Sequence, residues 1–300
     1  MLLPLMVVLL LTGCGSDGAV EPSAEAVETT DSATLRIAVM PTIDCLPLFV
    51  AADLGLFDEA DVKVRLCAYT AQMDCDTALE RGRVEAMATD LVRAERMQRQ
   101  GRRLTYVTTT ALGWQLVTNR TARIRQADQL DDHMVAMTRY SATHLLTKEL
   151  VDSAGLDADR VFCIQVNDVD VRLQMLLTGV MDALWLPEPQ ATVARIADHP
   201  AISDTYAAGL QFGVLAFSDS ALQADTLRRQ QIDGLTRAYR AACDSINNYG
   251  VHRYRDVIAA HCGVAAEVAD SLPDTLKTLF HVAQPRQEDL ARVRAWLDRQ

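Results

Sequence analysis

The fold is decided by residues 35–57, which read LRIAVMPTIDCLPLFVAADLGLF. Residues 35–40 include β-branched side chains in an alternating pattern and predict a first strand. Residues 41–45 form a turn-rich loop. Residues 46–54 predict a helix that ends at Gly55, because glycine readily takes the left-handed conformation found after a helix. A strand followed by a helix in this way is the first half of a βαβ unit.

The next elements complete that unit and add a second one. Residues 62–67 predict a strand, and Asp74 is expected to cap a helix that Gly82 ends. A third strand is predicted over residues 84–88. Strands that alternate with helices at this spacing are typical of a parallel sheet.

The same order of elements returns later in the chain. Ser141 is expected to cap a helix with one apolar stripe, and Gly155 ends it. Three more strands therefore alternate with two helices, over residues 134–137, 142–154, 161–166, 171–177 and 181–186.

A short internal repeat indicates two related lobes. Residues 79–86 read L-x-x-G-x-V-E-A and residues 176–183 read L-x-x-G-x-M-D-A. In both copies a helix is expected to end at the glycine, and an acidic residue leads into the following strand as one of its first residues.

Two connections between the lobes are predicted. Strands over residues 104–109 and 114–118, joined near Gly113, provide the first crossover, and residues 213–217 provide the second. The chain after Ser218 is expected to be helical, over residues 222–249, 253–262 and 287–299.

The N-terminus reads as a lipoprotein signal. An apolar run from Met1 ends in Leu11-Thr12-Gly13-Cys14, which predicts a signal peptide over residues 1–13 and a lipid on Cys14. The run is too short to span a bilayer of roughly 30 Å. Residues 14–34 are acidic, lack any base and predict a flexible tether. The alternative is a soluble chain with an apolar N-terminus.

Composition and charge narrow the classes of partner and of chemistry that the sequence predicts. The formal net charge of −11 argues against nucleic acid as a partner, because phosphates require Lys and Arg. Besides Cys14 there are six cysteines, for which we favour free thiols over disulfides. No Cys/His spacing fits a metal, no nucleophilic triad stands out, and no cofactor is expected. The six are Cys45, Cys67, Cys75, Cys163, Cys243 and Cys262.

Several segments, in order from Leu35 to about Leu297, resemble those of one protein family. They are residues 48–57, similar to A-x-x-x-G-L-F; 81–86 and 179–189, similar to G-x-x-D-A steps; 138–144, similar to T-x-G-S-S; and 238–247, similar to a C-terminal helix. The family is that of ABC-importer substrate-binding proteins, in the branch that binds taurine, alkanesulfonates, nitrate and the thiamine pyrimidine precursor.

The resemblance implies an α/β fold of the type II periplasmic-binding-protein kind. Two lobes joined by two hinge strands would hold a ligand in the cleft between them. Lobe 1 is expected to comprise residues 35–112 and 213–300, and lobe 2 residues 113–212. An ABC permease and its ATPase are the implied partners, and a monomer facing the periplasm or exterior is expected.

The candidate ligand-binding residues follow predicted strand ends, where open α/β sheets bind their ligands. Trp114 lies near the first crossover, where it could stack on a flat ligand or pack at the hinge. Lobe 1 contributes Thr42, Asp44, Cys45, Gln72, Asp74, Thr89 and Asp90, and lobe 2 contributes Arg139, Ser141, Ala142, Thr143, Asn167, Asp168 and Glu188.

The charges of these residues predict a polarity for the ligand. The helix start at Ser141, with Arg139, suits an anion. The acids Asp44, Asp74, Asp90 and Glu188 suit an amine or a protonated ring nitrogen. The alternative is that the acids are helix caps and turn residues and that the arginine is solvated.

The sequence therefore predicts a lipid-anchored solute-binding protein that captures a small organic ligand, such as a nitrogen heterocycle or an amine, by lobe closure. It is expected not to be an enzyme. Two alternatives remain: an enzyme on the same fold, of the menaquinone-precursor or thiamine-pyrimidine synthesis type, and a sensor lipoprotein without a transport role.

Overall fold

The structure, a computed structural model, describes residues 33–219 and 226–300. The predicted signal peptide, Cys14 and almost all of the tether lie outside these residues. Ten strands occur in the described part of the chain: β1 (Thr34–Val39), β2 (Lys63–Ala68), β3 (Ala86–Asp90), β4 (Leu104–Thr109), β5 (Gln115–Thr118), β6 (His133–Met137), β7 (Val161–Gln165), β8 (Ala183–Leu186), β9 (Ala201–Asp204) and β10 (Gly213–Ser218).

Helices connect most of the strands and cover the sheets. The described residues form α1 (Leu46–Asp53), α2 (Leu56–Glu59), α3 (Gln72–Glu80), α4 (Leu91–Arg99), α5 (Ala142–Ser153), α6 (Val169–Leu177), α7 (Gln190–Ile196), α8 (Thr226–Tyr249), α9 (Arg255–Cys262), α10 (Ala266–Ala269) and α11 (Gln287–Leu297).

The strands form two mixed sheets of the same design. The first has the order β2-β1-β3-β10-β4 and the second has the order β7-β6-β8-β5-β9. In the first sheet β1 pairs in parallel with β2 and β3, and β10 is antiparallel to β3 and β4. In the second, β6 pairs in parallel with β7 and β8, and β5 is antiparallel to β8 and β9. The α/β class and the two lobes are therefore confirmed.

The internal repeat reflects one local structure used twice. Gly82 and Gly179 both take the left-handed conformation just after a helix, with φ of 66° and 77°. The acidic residue of each copy then binds the first parallel strand of its own sheet. Glu85 Oε2 accepts from Arg36 N at 2.7 Å, and Asp182 Oδ2 accepts from Met134 N at 2.9 Å. Each acid thus accepts from a backbone N–H of the neighbouring parallel strand, just before the central strand of its own sheet begins.

Alternate side chains of β1 pack on opposite faces of the first sheet. Leu35, Ile37 and Val39 lie in a core with α1 and α8, whereas Ala38 and Met40 lie in a core shared with α3 and α4. Burial of each large apolar side chain contributes roughly 1.5–3 kcal/mol. This two-sided packing holds the C-terminal ends of β1 and β3 at one edge of the sheet.

Two details differ from the sequence predictions: the cap of α3 and the connections between the lobes. Asp74 does not cap its helix, because α3 begins at Gln72 after Ala71 and the exposed Asp74 lies within the first turn. Residues 213–217 are not a crossover but belong to β10, inside the first sheet. The two connections between the sheets are residues 110–114 and 205–212. They contact each other, since Trp114 N donates to Thr205 Oγ1 at 2.8 Å.

The six cysteines of the described residues are free thiols. Cys67 and Cys163 are half-buried and the other four are buried. No helix in the described ranges combines the length and apolar character that crossing a bilayer requires.

Candidate ligand-binding site

The site is a cleft between the two sheets, lined by residues of both lobes. The ends of β1, β3, β6 and β8 lead into it, so it lies at the carboxyl ends of parallel strands from both lobes, as expected for open α/β sheets. Half of its lining was predicted from the sequence. These residues are Thr42, Asp44, Gln72, Asp90, Trp114, Ser141 and Thr143.

Glu188 is predicted as a ligand contact, but its carboxylate is fully buried and occupied. It accepts from Arg195 Nη2 at 2.8 Å and from Gln115 Nε2 at 2.8 Å. It also accepts from Thr192 at both N, 2.9 Å, and Oγ1, 2.8 Å. These four donors occupy both carboxylate oxygens and Glu188 does not line the cleft, so the structure favours the alternative in which this acid has a structural role.

Asp168 and Asn167 also have structural partners. Asp168 Oδ1 accepts from Asp170 N and Val171 N and so caps α6. Asp168 Oδ2 accepts from Thr70 Oγ1 of the other lobe at 2.6 Å. Asn167 Oδ1 accepts from Gln165 Nε2. The alternative interpretation of acids as caps holds for Asp168.

The remaining predicted residues lie outside the lining of the cleft. Arg139 and Asp74 are exposed, because each points into solvent from the first residues of a loop or helix. Cys45 is buried beneath the loop at the start of α1, and Thr89 faces inward from β3. Ala142 approaches the cleft only through its backbone N–H.

Two arginines that were not predicted dominate the site. Arg93 of α4 and Arg172 of α6 both line the cleft and are 4% and 6% exposed. Both lie in or next to the first turn of a helix, where the helix dipole disfavours a cation. An arginine near the start of a predicted helix is therefore a feature of the sequence that could have indicated these two residues. The other missed lining residues are Met40, Leu112, Thr138, Val169 and Pro187.

Arg172 is a buried cation with no carboxylate partner among the described residues. Its Nη1 donates to Trp185 O at 2.8 Å, and its Nη2 has long contacts of 3.4 Å to Thr138 Oγ1 and Asn167 O. Its Nε has no acceptor. Burial, together with the nearby charge of Arg93, lowers the pKa of Arg172 to about 10. The guanidinium is therefore charged at neutral pH but poorly compensated.

Arg93 is only partly compensated. It contacts Asp76, and its Nε lies 3.7 Å from Asp90 Oδ2, which is beyond hydrogen-bond distance. Its Nε and Nη2 have no acceptor. The two arginines therefore present three buried nitrogen donors without partners, and leaving such groups unpaired costs roughly 1–3 kcal/mol each.

The carboxylate of Asp90 binds the N-terminus of α5, where the sequence predicts that a ligand anion binds. Its Oδ1 accepts from Arg93 N at 3.0 Å and, across the cleft, from Ala142 N at 3.1 Å. Ser141 caps the same helix by accepting from Thr143 N. Burial raises the pKa of Asp90 to about 6. The start of α5 thus already has a carboxylate, and an anion would instead find its donors at the arginines.

Asp44 is the other acid of the cleft and has only neutral partners among the described residues. It accepts from Thr42 Oγ1 at 2.6 Å and from Thr110 Oγ1 at 3.3 Å. Burial raises its pKa above the usual range. The cleft therefore contains two arginines and two carboxyls whose charged form burial disfavours, and Asp76 pairs with Arg93. Arg172 has no ion-pair partner among the described residues. No cluster of three metal-binding side chains occurs in the described residues.

The fold and the cleft define the class, a two-lobed α/β protein of the periplasmic-binding-protein type. The chain belongs to the NMT1/THI5 like family, whose model matches residues 42–277, and the resemblance found in the sequence is confirmed. No curated protein sequence matches the chain at a significant level.

Solved structures share the fold at low sequence identity. The alkanesulfonate-binding protein SsuA from Xanthomonas axonopodis pv. citri, bound to MOPS, superposes with a TM-score of 0.72 at 17% identity, over 89% of this chain and 91% of that chain. The ligand-binding component of an ABC-type import system from Staphylococcus aureus, with zinc bound, gives 0.74 at 12% identity over 89% and 91%. The desulfurization enzyme DSZB gives 0.65 at 13% over 88% and 91%. Binding proteins and an enzyme thus share this architecture.

Proposed function

We propose that the protein is the solute-binding component of an ABC importer and that its lobes close on a small organic anion. One observation carries the proposal: Arg93 and Arg172 lie buried in the cleft, one from each lobe, and present three nitrogen donors without an acceptor. An anionic group would accept from both lobes at once and would stabilise the closed form over the open one.

The remainder of the cleft suits a small organic molecule. Trp114, Leu112 and Val169 provide apolar surface beside the arginines, a combination typical of ligand pockets. SsuA, with the same fold, is an alkanesulfonate-binding protein. A sulfonate or a carboxylate on a short organic body is therefore the class of ligand we propose, rather than the amine that the predicted acids indicated.

We also propose that the chain is a lipoprotein with a signal peptide over residues 1–13, lipid on Cys14 and a place in the periplasm or cell exterior. The support is the sequence of residues 11–14. The described fold begins at Thr34, at the end of β1 opposite the cleft, so a tether joined there would leave the cleft open to a permease. The division into lobes at residues 112–113 and 212–213 is part of the same proposal.

An enzymatic role is the second candidate, because the DSZB enzyme shares the fold. The buried Cys45 is not a ready nucleophile, since burial raises the pKa of its thiol well above its ordinary value. We therefore propose that the protein binds its ligand without converting it to a product.

The test starts from purified protein. Small molecules released by denaturation are identified by mass spectrometry, and calorimetry then compares methanesulfonate and MOPS with neutral methanesulfonamide. We expect an anion to be recovered unchanged and sulfonates to bind more tightly than the amide. Recovery of a cationic or neutral ligand, or its conversion to a product on incubation, would contradict the proposal.

A further inference from the structure

The C-terminal helix α11 lies across both lobes at one side of the cleft. Its buried residues Leu290, Val293 and Trp296 belong to a core that also contains Leu91 of α4 and Leu145 of α5. Helix α4 belongs to the first lobe and α5 to the second, so one helix packs on elements from each side of the cleft.

The attachment of α11 to the first lobe is extensive. Arg294 donates to Glu95 of α4 through Nε at 2.7 Å and Nη2 at 3.2 Å. Arg99 Nη2 lies 2.8 Å from Asp298 Oδ1 and donates to Arg294 O at 2.9 Å. These bonds fix α11 along about one turn of α4, so the helix moves with the first lobe.

Two further contacts join α11 to the second lobe. Arg292 binds Glu149 of α5 with both nitrogens, through Nε at 2.9 Å and Nη2 at 2.6 Å. The ring of Trp296 meets the ring of His144 edge to face, with centroids 5.1 Å apart. Beside them Arg96 of α4 stacks over Tyr140 at 4.4 Å. All three contacts would break if the lobes separated at this side.

We infer that α11 is a clasp that biases the empty protein toward the closed form. The inference rests on the proposed function, because it concerns the closure of that same cleft. The central contact is the bidentate Arg292–Glu149 pair, a geometry that gives an ion pair more strength and direction than a single bond. Both side chains are partly exposed, 41% and 29%, so the clasp is weak enough to open.

The clasp is tested without any ligand. Three backbone N–H groups are bonded across the cleft and report closure by hydrogen exchange: Ile43 to Glu188 O at 2.8 Å, Ala142 to Asp90 Oδ1 at 3.1 Å and Val169 to Thr70 O at 3.1 Å. Exchange at these amides is measured by NMR, or by mass spectrometry of the peptides that contain them, on the full chain in low salt.

Charge exchange separates a clasp from a general effect on stability. In Glu149→Arg and in Arg292→Glu, like charges face each other. Hydrogen exchange at the three amides should then accelerate by about two- to five-fold, the range expected for the loss of one partly exposed ion pair. The double variant with the charges exchanged should restore slow exchange. The matched control is Asp131→Arg, which breaks a bidentate pair with Arg160 that lies wholly within the second lobe and should leave the three amides unchanged.

Equal exchange rates in wild type and both single variants would overturn the clasp, as would a double variant no slower than the singles. These outcomes do not depend on ligand identity. A protein that binds no anion but shows the predicted exchange pattern would refute the proposed function and keep the clasp, and the reverse result would do the opposite.

Discussion

Arg172→Met separates a ligand contact from a structural residue, because the two roles predict opposite effects on stability. In the empty protein, Arg172 is a buried charge without a carboxylate partner among the described residues. The fall of its pKa from 12.5 to about 10 corresponds to about 3 kcal/mol of unfavourable burial. Methionine fills similar space and removes that cost, and it gives up the bond to Trp185 O, which offsets about 1–3 kcal/mol.

The free energy of unfolding of the empty Arg172→Met variant should therefore stay equal to that of wild type or rise by up to about 2 kcal/mol. The affinity for a sulfonate ligand should fall roughly ten- to a hundred-fold, because a charge-assisted hydrogen bond worth about 1.5–3 kcal/mol is lost. Urea denaturation gives the first quantity and calorimetry with MOPS or the recovered ligand gives the second.

Arg125→Met provides the control, since Arg125 is an exposed arginine of the same lobe and both quantities should remain unchanged. A large loss of stability in Arg172→Met together with unaltered affinity would refute the reasoning, because it would show that Arg172 is held by the fold and does not serve a ligand.

Three further predictions concern other parts of the molecule. Burial raises the pKa of Asp90 to about 6, so the folded state binds the proton of this carboxyl more tightly than the unfolded state does. The free energy of unfolding should therefore fall by up to about 3 kcal/mol as the pH rises from about 4 to 6. Asp90→Asn should flatten this pH dependence in urea denaturation, and an unchanged pH dependence would contradict the prediction. Glu188→Ala removes the buried end of an ion pair and leaves the donors of Gln115 and Thr192 without their acceptor, so it should lower the unfolding free energy by about 3 kcal/mol, with little change in the affinity measured at a temperature where the variant is folded; a selective loss of affinity would support Glu188 as a ligand contact. Cys14→Ser should abolish partition into the detergent phase, and wild-type protein found entirely in the aqueous phase would reject the lipid anchor.

The elements and the position of the site could be predicted because local rules govern them. Gly82 and Gly179 end helices since glycine takes positive φ without strain, and both do so in the structure. Six of the seven predicted lining residues lie at the ends of β1, β2, β3 and β6 or within six residues after them, and the rule that clefts form at strand ends located them. Asp74 failed because the helix begins earlier than the position of the acid suggested, and helix boundaries depend on packing as well as on capping residues.

The charge of the site could not be predicted in the same way, because it depends on which charges are neutralised in three dimensions. Glu188 comes from the end of a strand and was expected in the cleft, but Arg195, seven residues further on, lies within 2.8 Å and compensates it. Arg172 comes from within a helix and was overlooked, although no carboxylate of the described residues forms an ion pair with it and only the more distant charge of Asp168 favours its charged form. Counting acids near strand ends therefore predicts a cationic ligand, whereas the unpartnered donors of the arginines support the anionic ligand that we propose. In a closed cleft the side chains available to a ligand are those that the fold leaves without partners, and among the described residues that line this cleft these are Nε and Nη2 of Arg93 and Nε of Arg172.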